Sequence, residues 1–319
     1  MLHRSASSVT LSIYFKEFNN LPPYSQGYQR MSFCDVAVVI LAHNGEEYTK
    51  YALDSILAAA SKPWEVFLVD NASNDNTPAL FKQYSAIYEQ AGIKVHTWRN
   101  SENLGCSLAR NQAWEKVSSR YTVFMDNDAA VCSRDWLARF ITCFDEHPKL
   151  RILGGKMIYP YEPHPIQCAG VIISPQGRVA FRGRGQPRHD PAYQAFWPAW
   201  GLISACWMMR TDLRDEVGYL DETFHPVQYE DLDLCLRTRL AGWEVAYTPL
   251  VEMYHFEGMT TNAVGDIQYQ RNIAKNSLKF RERYHELFKT FPDELPAEQF
   301  QWRDSSEFGM SNKLNLRIR

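Results

Sequence analysis

The chain of 319 residues is 45% hydrophobic and 22% charged, which is ordinary for a globular protein and enough to bury a core in one large domain or two intimate ones. A formal net charge of -3 gives no reason to expect nucleic acid as a partner. Seven cysteines without a C-x-x-C pair fit neither a disulfide framework nor a zinc site and point to a reducing, cytoplasmic setting.

Residues 1–32 are Ser-rich and irregular, without the apolar core of a secretory signal, and read as a loosely attached leader or an early start codon. Patterned sequence begins at Phe33. Val36 to Leu41 is a continuous apolar run, as expected for a parallel strand covered on both faces. Leu53, Ile56, Leu57 and Ala60 then repeat at helical spacing. Glu65 to Val69 predicts a second strand, and Thr77-Pro78 starts a helix marked by Leu80, Phe81, Tyr84, Ile87 and Tyr88. Lys94 to Trp98 and the helical face from Leu108 to Val117 continue the alternation, and Tyr121 to Met125 closes it. Four strands with three intervening helices predict a right-handed, doubly wound sheet.

Beyond Asp128 the rhythm changes. Trp136 to Phe144 carries one more helix face, followed by shorter β-like pieces at 151–159, 170–174, 178–181 and 203–210. The longest uncharged apolar run, residues 196–209, is too short to span a bilayer, contains Pro198 and Gly201, and reads as a buried loop plus strand. Tyr229 to Ala241 is helical, with strands expected at 243–247 and 251–256. Residues 266–288 form a basic amphipathic helix carrying Arg271, Lys275, Lys279, Arg281 and Arg283. That face is either simply solvated or a peripheral contact with an anionic membrane. From Pro292 onward there is little pattern.

Ligands of open α/β sheets bind at the carboxyl ends of the strands. There, Tyr121 to Met125 stops at Asp126-Asn127-Asp128, a pair of hard carboxylate ligands suited to Mg²⁺ or Mn²⁺ together with substrate phosphates. The bare pattern is weak, because Asp-x-Asp recurs at Asp231 and Asp233 and such pairs often cap helices. After the first strand comes Ala42-His43-Asn44-Gly45, then Glu46-Glu47, with neither a dinucleotide fingerprint nor a P-loop. A diphosphate bound here therefore needs a metal to neutralise it. Asp70 ends the second strand, either capping its turn or reading a nucleobase or ribose. In the loop after the third strand, Asn103 and Gly105 precede Arg110, which is either a surface charge or a partner for an anionic nucleotide. Glu230 and Asp231 open a helix, favoured there by its dipole or placed as a general base. His255 ends a strand, packed or available as a further ligand.

The stretches VVILAHNGEE, FLVDNASND, NLGCSLARN, VFMDNDA, IQCAGVIISPQG, VGYLDETF, YEDLDLCLRTRLAGW and HFEGMTT, in that order, resemble the family 2 glycosyltransferases of GT-A fold, and among them the bacterial rhamnosyltransferase-like branch. The resemblance covers about residues 33–261. It implies a Rossmann-like, mostly parallel central sheet flanked by helices, with a small mixed β portion on the acceptor side and a C-terminal helix. A donor half is expected at 33–130, an acceptor and catalytic half at 131–262, and a helix and tail at 263–319. The resemblance further implies that Ala42, His43 and Glu47 line the nucleoside pocket, with His43 standing where relatives often carry Tyr. It places Asp70, Asn103, Gly105 and Arg110 at the nucleotide, and Asp126 at the ribose or a metal-bound water. Asp128 and His255 become metal ligands, Asp231 the catalytic base, Glu230 an acceptor-holding group, and Trp200-Gly201 part of the acceptor wall.

The activity so implied is inverting, metal-dependent transfer from a UDP-, dTDP- or GDP-sugar to a glycan, lipid-linked or protein acceptor. A nucleotidyltransferase is the nearest rival, but it would present a glycine-rich basic loop where this chain has AHNGEE. A non-catalytic sugar-nucleotide or glycan-binding module would have no use for Glu230-Asp231.

Overall fold

The computed structural model describes residues 33–257, 267–291, 300–311 and 313–319, all within the unit Ser32–Arg319. The expected leader, 1–32, lies outside the described residues. Four strands, β1 (Phe33–Ala42), β2 (Lys62–Asp70), β3 (Lys94–Arg99) and β4 (Tyr121–Asp126), form a parallel block in the order 3-2-1-4. Between them run helices α1 (Glu46–Ala58), α2 (Thr77–Gln90) and α3 (Gly105–Trp114). The period-2 pleat of β1 sends Val36, Val38 and Ile40 into one core with α1 and α2, and Ala37 and Val39 into another with α3. Helices thus cover both faces of the sheet, as a doubly wound arrangement requires. Register aligns the carboxyl ends: Leu41 lies beside Asp126, Ala42 beside Asp70, and Asp70 beside Arg99.

The second part departs from this rhythm. After β5 (Ala129–Val131), helix α4 (Trp136–Glu146) leads into β6 (Leu150–Ile158) and the short strands β7 (Ile166–Cys168), β8 (Val171–Ile173), β9 (Val179–Phe181) and β10 (Trp197–Pro198). Strand β11 (Cys206–Arg210) inserts antiparallel between β4 and β6, so the sheet is mixed on this side. It is the strand expected in the run 196–209, and Ala199, Leu202 and Ala205 before it are buried. Helices α5 (Leu213–Val217) and α6 (Glu230–Leu240) precede β12 (Glu244–His255). The two strands expected at 243–247 and 251–256 are one, its pairing with β6 interrupted between Tyr247 and Glu252. Pro249 lies in that interruption and has no N–H to give the ladder.

The C-terminal helix starts at Ile267 and breaks at Tyr284 into α7 (Ile267–Arg283) and α8 (His285–Phe288). Phe280, Tyr284, Phe288 and Phe291 are buried and pack in an aromatic row. Each contributes about 1.5–3 kcal/mol of burial. Two of the five bases on this helix turn to the protein itself. Lys279 donates to the Thr223 carbonyl and lies over the Phe224 ring, while Arg283 pairs with Asp221 and Asp233. These bases hold the helix to its own protein. The patternless tail is ordered where described: Asn315 bonds to Pro160, and Arg319 bonds to Cys132 and accepts from Arg134.

Candidate active site

Asp126 and Asp128 flank the turn from β4 to β5. Asn127, between them, points inward and donates to the Asn44 carbonyl at 2.8 Å and to Thr49 Oγ1 at 2.7 Å. Strand β5 pairs with the end of β12, setting Ala129 opposite His255, and the Phe256 N–H donates to the Asp128 carbonyl at 3.0 Å. Ligand atoms of Asp126, Asp128 and His255 therefore lie within 4.8 Å of one another. His255 Nε2 is 3.3 Å from Asp128 Oδ1, and its Nδ1 faces Gln167 Oε1 at 2.7 Å. Burial disfavours the imidazolium, yet the Asp128 carboxylate outweighs it and the pKa is pushed up to about 9. For Asp126, burial raises the pKa, Arg110 works against that, and the neighbouring Asp128 adds to it. Two crowded carboxylates and one imidazole are a donor set that fits Mn²⁺ or Mg²⁺, and a cation would relieve their mutual repulsion.

The other donor-side residues surround this cluster unevenly. Ala42 is buried, and its carbonyl accepts from the Asn71 N–H at 2.8 Å. His43 is half-buried, its Nδ1 2.8 Å from the Asn71 carbonyl. Glu47 is exposed on the first turn of α1, with Tyr51 as its bonding partner. Asp70 is buried; its Oδ1 accepts from the Ser73 N–H, as a turn cap does, and its Oδ2 is 3.3 Å from Arg99 Nε. Asn103 accepts from Asn71 and from the Gly105 N–H, bracing its own loop.

Two of these residues are held closely by their own chain. Gly105 has φ 75°, and a Cβ there would meet His225 and the Pro226 carbonyl at 2.7 Å. On that side the close approach it permits is to its own chain. Arg110 is not the surface charge that one reading of the sequence allowed. It is fully buried, forms an ion pair with Asp126, and donates to Ser204 Oγ at 2.7 Å.

Ser204 links this cluster to the second one. Its N–H donates to Asp231 Oδ2 at 3.2 Å, and the Leu232 N–H donates to Asp231 Oδ1 at 2.8 Å. Burial raises the pKa of both Asp231 and Glu230, and the proximity of Asp231 raises that of Glu230 further. Glu230 is enclosed, and its Oε2 has no hydrogen-bond partner. Gln228 and Tyr229 just before it are both left-handed, and Asn276 of α7 donates to the carbonyls of Phe224, Val227 and Gln228. Strained backbone at a helix start persists only when such contacts hold it. Trp200 is half-buried against Phe291 at 4.4 Å and under Arg239 at 4.0 Å. At Gly201 a Cβ would meet Leu232 at 2.7 Å, so the glycine lets this segment close on α6.

Gln167, Ser204 and Asn276 escaped the sequence reading. Gln167 alone left a trace, as a polar residue inside the buried strand Ile166–Cys168.

A parallel block with helices on both faces, an antiparallel strand inserted beside it and an acidic cluster at the junction define a protein of GT-A glycosyltransferase fold. The fold is similar to that in a crystal structure of GalNAc-T7 with UDP, GalNAc and Mn²⁺, with a TM-score of 0.63 over 82% of this chain and 50% of that one, at 16% identity. The chain belongs to glycosyl transferase family 2, whose family model matches residues 37–218. It is 27% identical over 231 residues to the uncharacterized protein y4gI of Sinorhizobium fredii, covering 70% of this chain and 24% of that protein. It is 33% identical over 93 residues to the putative teichuronic acid biosynthesis glycosyltransferase TuaG of Bacillus subtilis, covering 29% of this chain and 35% of TuaG. The matches thus span about a quarter to a third of these relatives' own length.

Proposed function

We propose that this chain catalyses inverting, metal-dependent transfer of a hexosyl or deoxyhexosyl group from a UDP-, dTDP- or GDP-sugar to a hydroxyl of a glycan, lipid-linked or protein acceptor. The order of its motifs favours the rhamnosyltransferase-like branch, working in the cytoplasm. Among the described residues no helix is long and apolar enough to cross a membrane, so a membrane-borne acceptor would be met from outside the bilayer. Residues 33–130 would hold the donor and 131–262 the acceptor. The observation that carries the reading is the convergence of Asp126, Asp128 and His255, joined through Arg110 and Ser204 to Asp231.

In this reading Asp126, Asp128 and His255 hold Mn²⁺ or Mg²⁺, which when bound supplies Lewis-acid charge to the departing diphosphate. Ala42, His43, Glu47 and Asp70 line the nucleoside side. Asp231 takes the proton of the acceptor hydroxyl, and the unpaired oxygen of Glu230 holds that hydroxyl. The acceptor oxygen bonds to the anomeric carbon as the bond to diphosphate breaks, so configuration inverts. Proton removal by a positioned carboxylate contributes on the order of 10²–10⁴-fold. Arg110 keeps Asp126 ionised and anchors Ser204, which aims Asp231.

The test is incubation with UDP-, dTDP- and GDP-sugars and Mn²⁺ with a glycan acceptor, measuring nucleoside diphosphate release. Metal-dependent release with glycosyl transfer is expected. Pyrophosphate chemistry instead would indicate a nucleotidyltransferase, and binding without turnover a non-catalytic module.

A further inference from the structure

We propose that Gln167 is a positioning residue that fixes the tautomer of His255, so that Nε2 presents a lone pair to a divalent cation held with Asp126 and Asp128. The inference rests on the metal-binding reading above and goes beyond it, to a residue that touches neither metal nor substrate.

The argument begins in strand β7. Ile166, Gln167 and Cys168 are all buried, and Ile166 and Cys168 belong to the apolar cores. An amide in such a strand costs free energy unless it is hydrogen-bonded. Strands β7 and β12 both pair with β6 near Met157 and Ile158, which brings Gln167 beside the end of β12. There its Oε1 lies 2.7 Å from His255 Nδ1. An amide oxygen only accepts, so Nδ1 must carry the hydrogen. In the neutral ring, Nε2 is then left with the lone pair, and Nε2 is the atom 3.3 Å from Asp128 Oδ1, inside the three-residue cluster. A metal-bound imidazole needs this arrangement: one nitrogen on the cation, and the other N–H donated to a fixed acceptor that orients the ring and raises its basicity. Without that acceptor the ring would be free to rotate or to take the other tautomer, which puts a hydrogen where the cation should sit.

The experiment titrates Mn²⁺ alone into wild type, Asp128→Ala, Gln167→Met and Gln167→Glu, reading free Mn²⁺ by electron paramagnetic resonance and imidazole coordination by the nitrogen coupling in pulsed spectra. Gln167→Met keeps the length and removes the acceptor; Gln167→Glu keeps an acceptor that cannot donate when ionised. Wild type should show the nitrogen coupling. Gln167→Met should bind Mn²⁺ about 10- to 100-fold more weakly and lose the coupling, whereas Gln167→Glu should bind at least as well as wild type. Wild-type affinity and coupling in Gln167→Met, with Asp128→Ala impaired, would overturn the role of Gln167 and leave the metal site standing. Equal weakening in Gln167→Met and Gln167→Glu would reduce Gln167 to packing and also overturn it. If Asp128→Ala bound Mn²⁺ as wild type does, the metal-site reading would fall and this inference with it.

Discussion

Asp126 and Asp128 leave the end of a strand on the same side, whereas Asp231 and Asp233 leave a helix on different sides. The chain turns at Asn127-Asp128 directly after β4, and that turn folds the second carboxylate back toward the first; in a helix, residues two apart are about 200° apart. The first pair consequently meets in one cluster with His255, while the residue between them, Asn127, turns inward to brace the first loop. The second pair is divided. Asp231 is aimed at the cleft side by Ser204 and Leu232, and Asp233 is wholly buried on the other side of α6. There it accepts from Arg237 at 2.7 Å, Arg283 at 2.6 Å and the Tyr284 hydroxyl at 2.7 Å, tying the C-terminal helix to α6. The same three-residue pattern thus gathers two carboxylates into one cluster in one place, and in the other separates the proposed base from an anchor.

The largest effect expected from this division is on turnover. Asp231→Asn should lower kcat by a factor of roughly 10² or more with donor affinity little changed, measured as nucleoside diphosphate release under saturating donor. Near-normal turnover would move the base elsewhere. Next in size is Arg110→Met, which removes the buried ion-pair partner of Asp126, a carboxylate 36% exposed. With the guanidinium buried but the carboxylate partly solvated, the loss should be about 1–3 kcal/mol, short of that for a fully buried pair, which urea unfolding would register. An unchanged midpoint would mean that Arg110 does not hold the two clusters together.

A smaller effect follows from protonation. Burial raises the carboxyl pKa of Asp231, so the folded chain holds this proton at pH values where the unfolded chain has released it. The contribution of Asp231 to stability is therefore best at low pH and declines as pH rises from the ordinary carboxylate range through the raised value. Activity should run the other way, since the base works ionised. Asp231→Asn, though inactive, should melt at or above wild type at pH 8, and that advantage should vanish on acidification. Differential scanning calorimetry across pH decides it; a melting point below wild type at pH 8 would contradict the sign. The smallest effect concerns the exposed rim of the anchor. Lys279→Ala should cost less than about 1 kcal/mol and leave kcat unchanged, because its amine is only a partly solvated helix contact.

Legibility in the sequence followed the same physics. The parallel block could be read because buried strands give unbroken apolar runs and α1 to α3 show clear helical spacing. Asp126, Asp128, Asp231 and His255 each had a structural alternative in the sequence, as cap, dipole partner or packed ring, and stood out only together, through their common place at strand and helix ends. What could not be read was partnership over long separations. Nothing near Arg110 in the chain says that it is enclosed by Ser204 and Asp126, or that Gly105 is pressed on His225 and Pro226. The bases of α7 looked like a solvated or membrane-facing stripe, because their partners Asp221, Thr223 and Asp233 lie some fifty residues earlier. Asn276 was invisible for the same reason: its three acceptors are backbone carbonyls, which have no signature in sequence.

The contrast between the two pairs is tested most directly by neutralising one member of each, Asp128→Asn and Asp233→Asn, and titrating UDP, GDP and dTDP calorimetrically with and without Mn²⁺, alongside thermal melting. Asp128→Asn should lose the Mn²⁺ enhancement of nucleotide binding and keep its melting temperature. Asp233→Asn should keep the enhancement and melt clearly lower. Intact Mn²⁺-enhanced binding in Asp128→Asn would contradict the account.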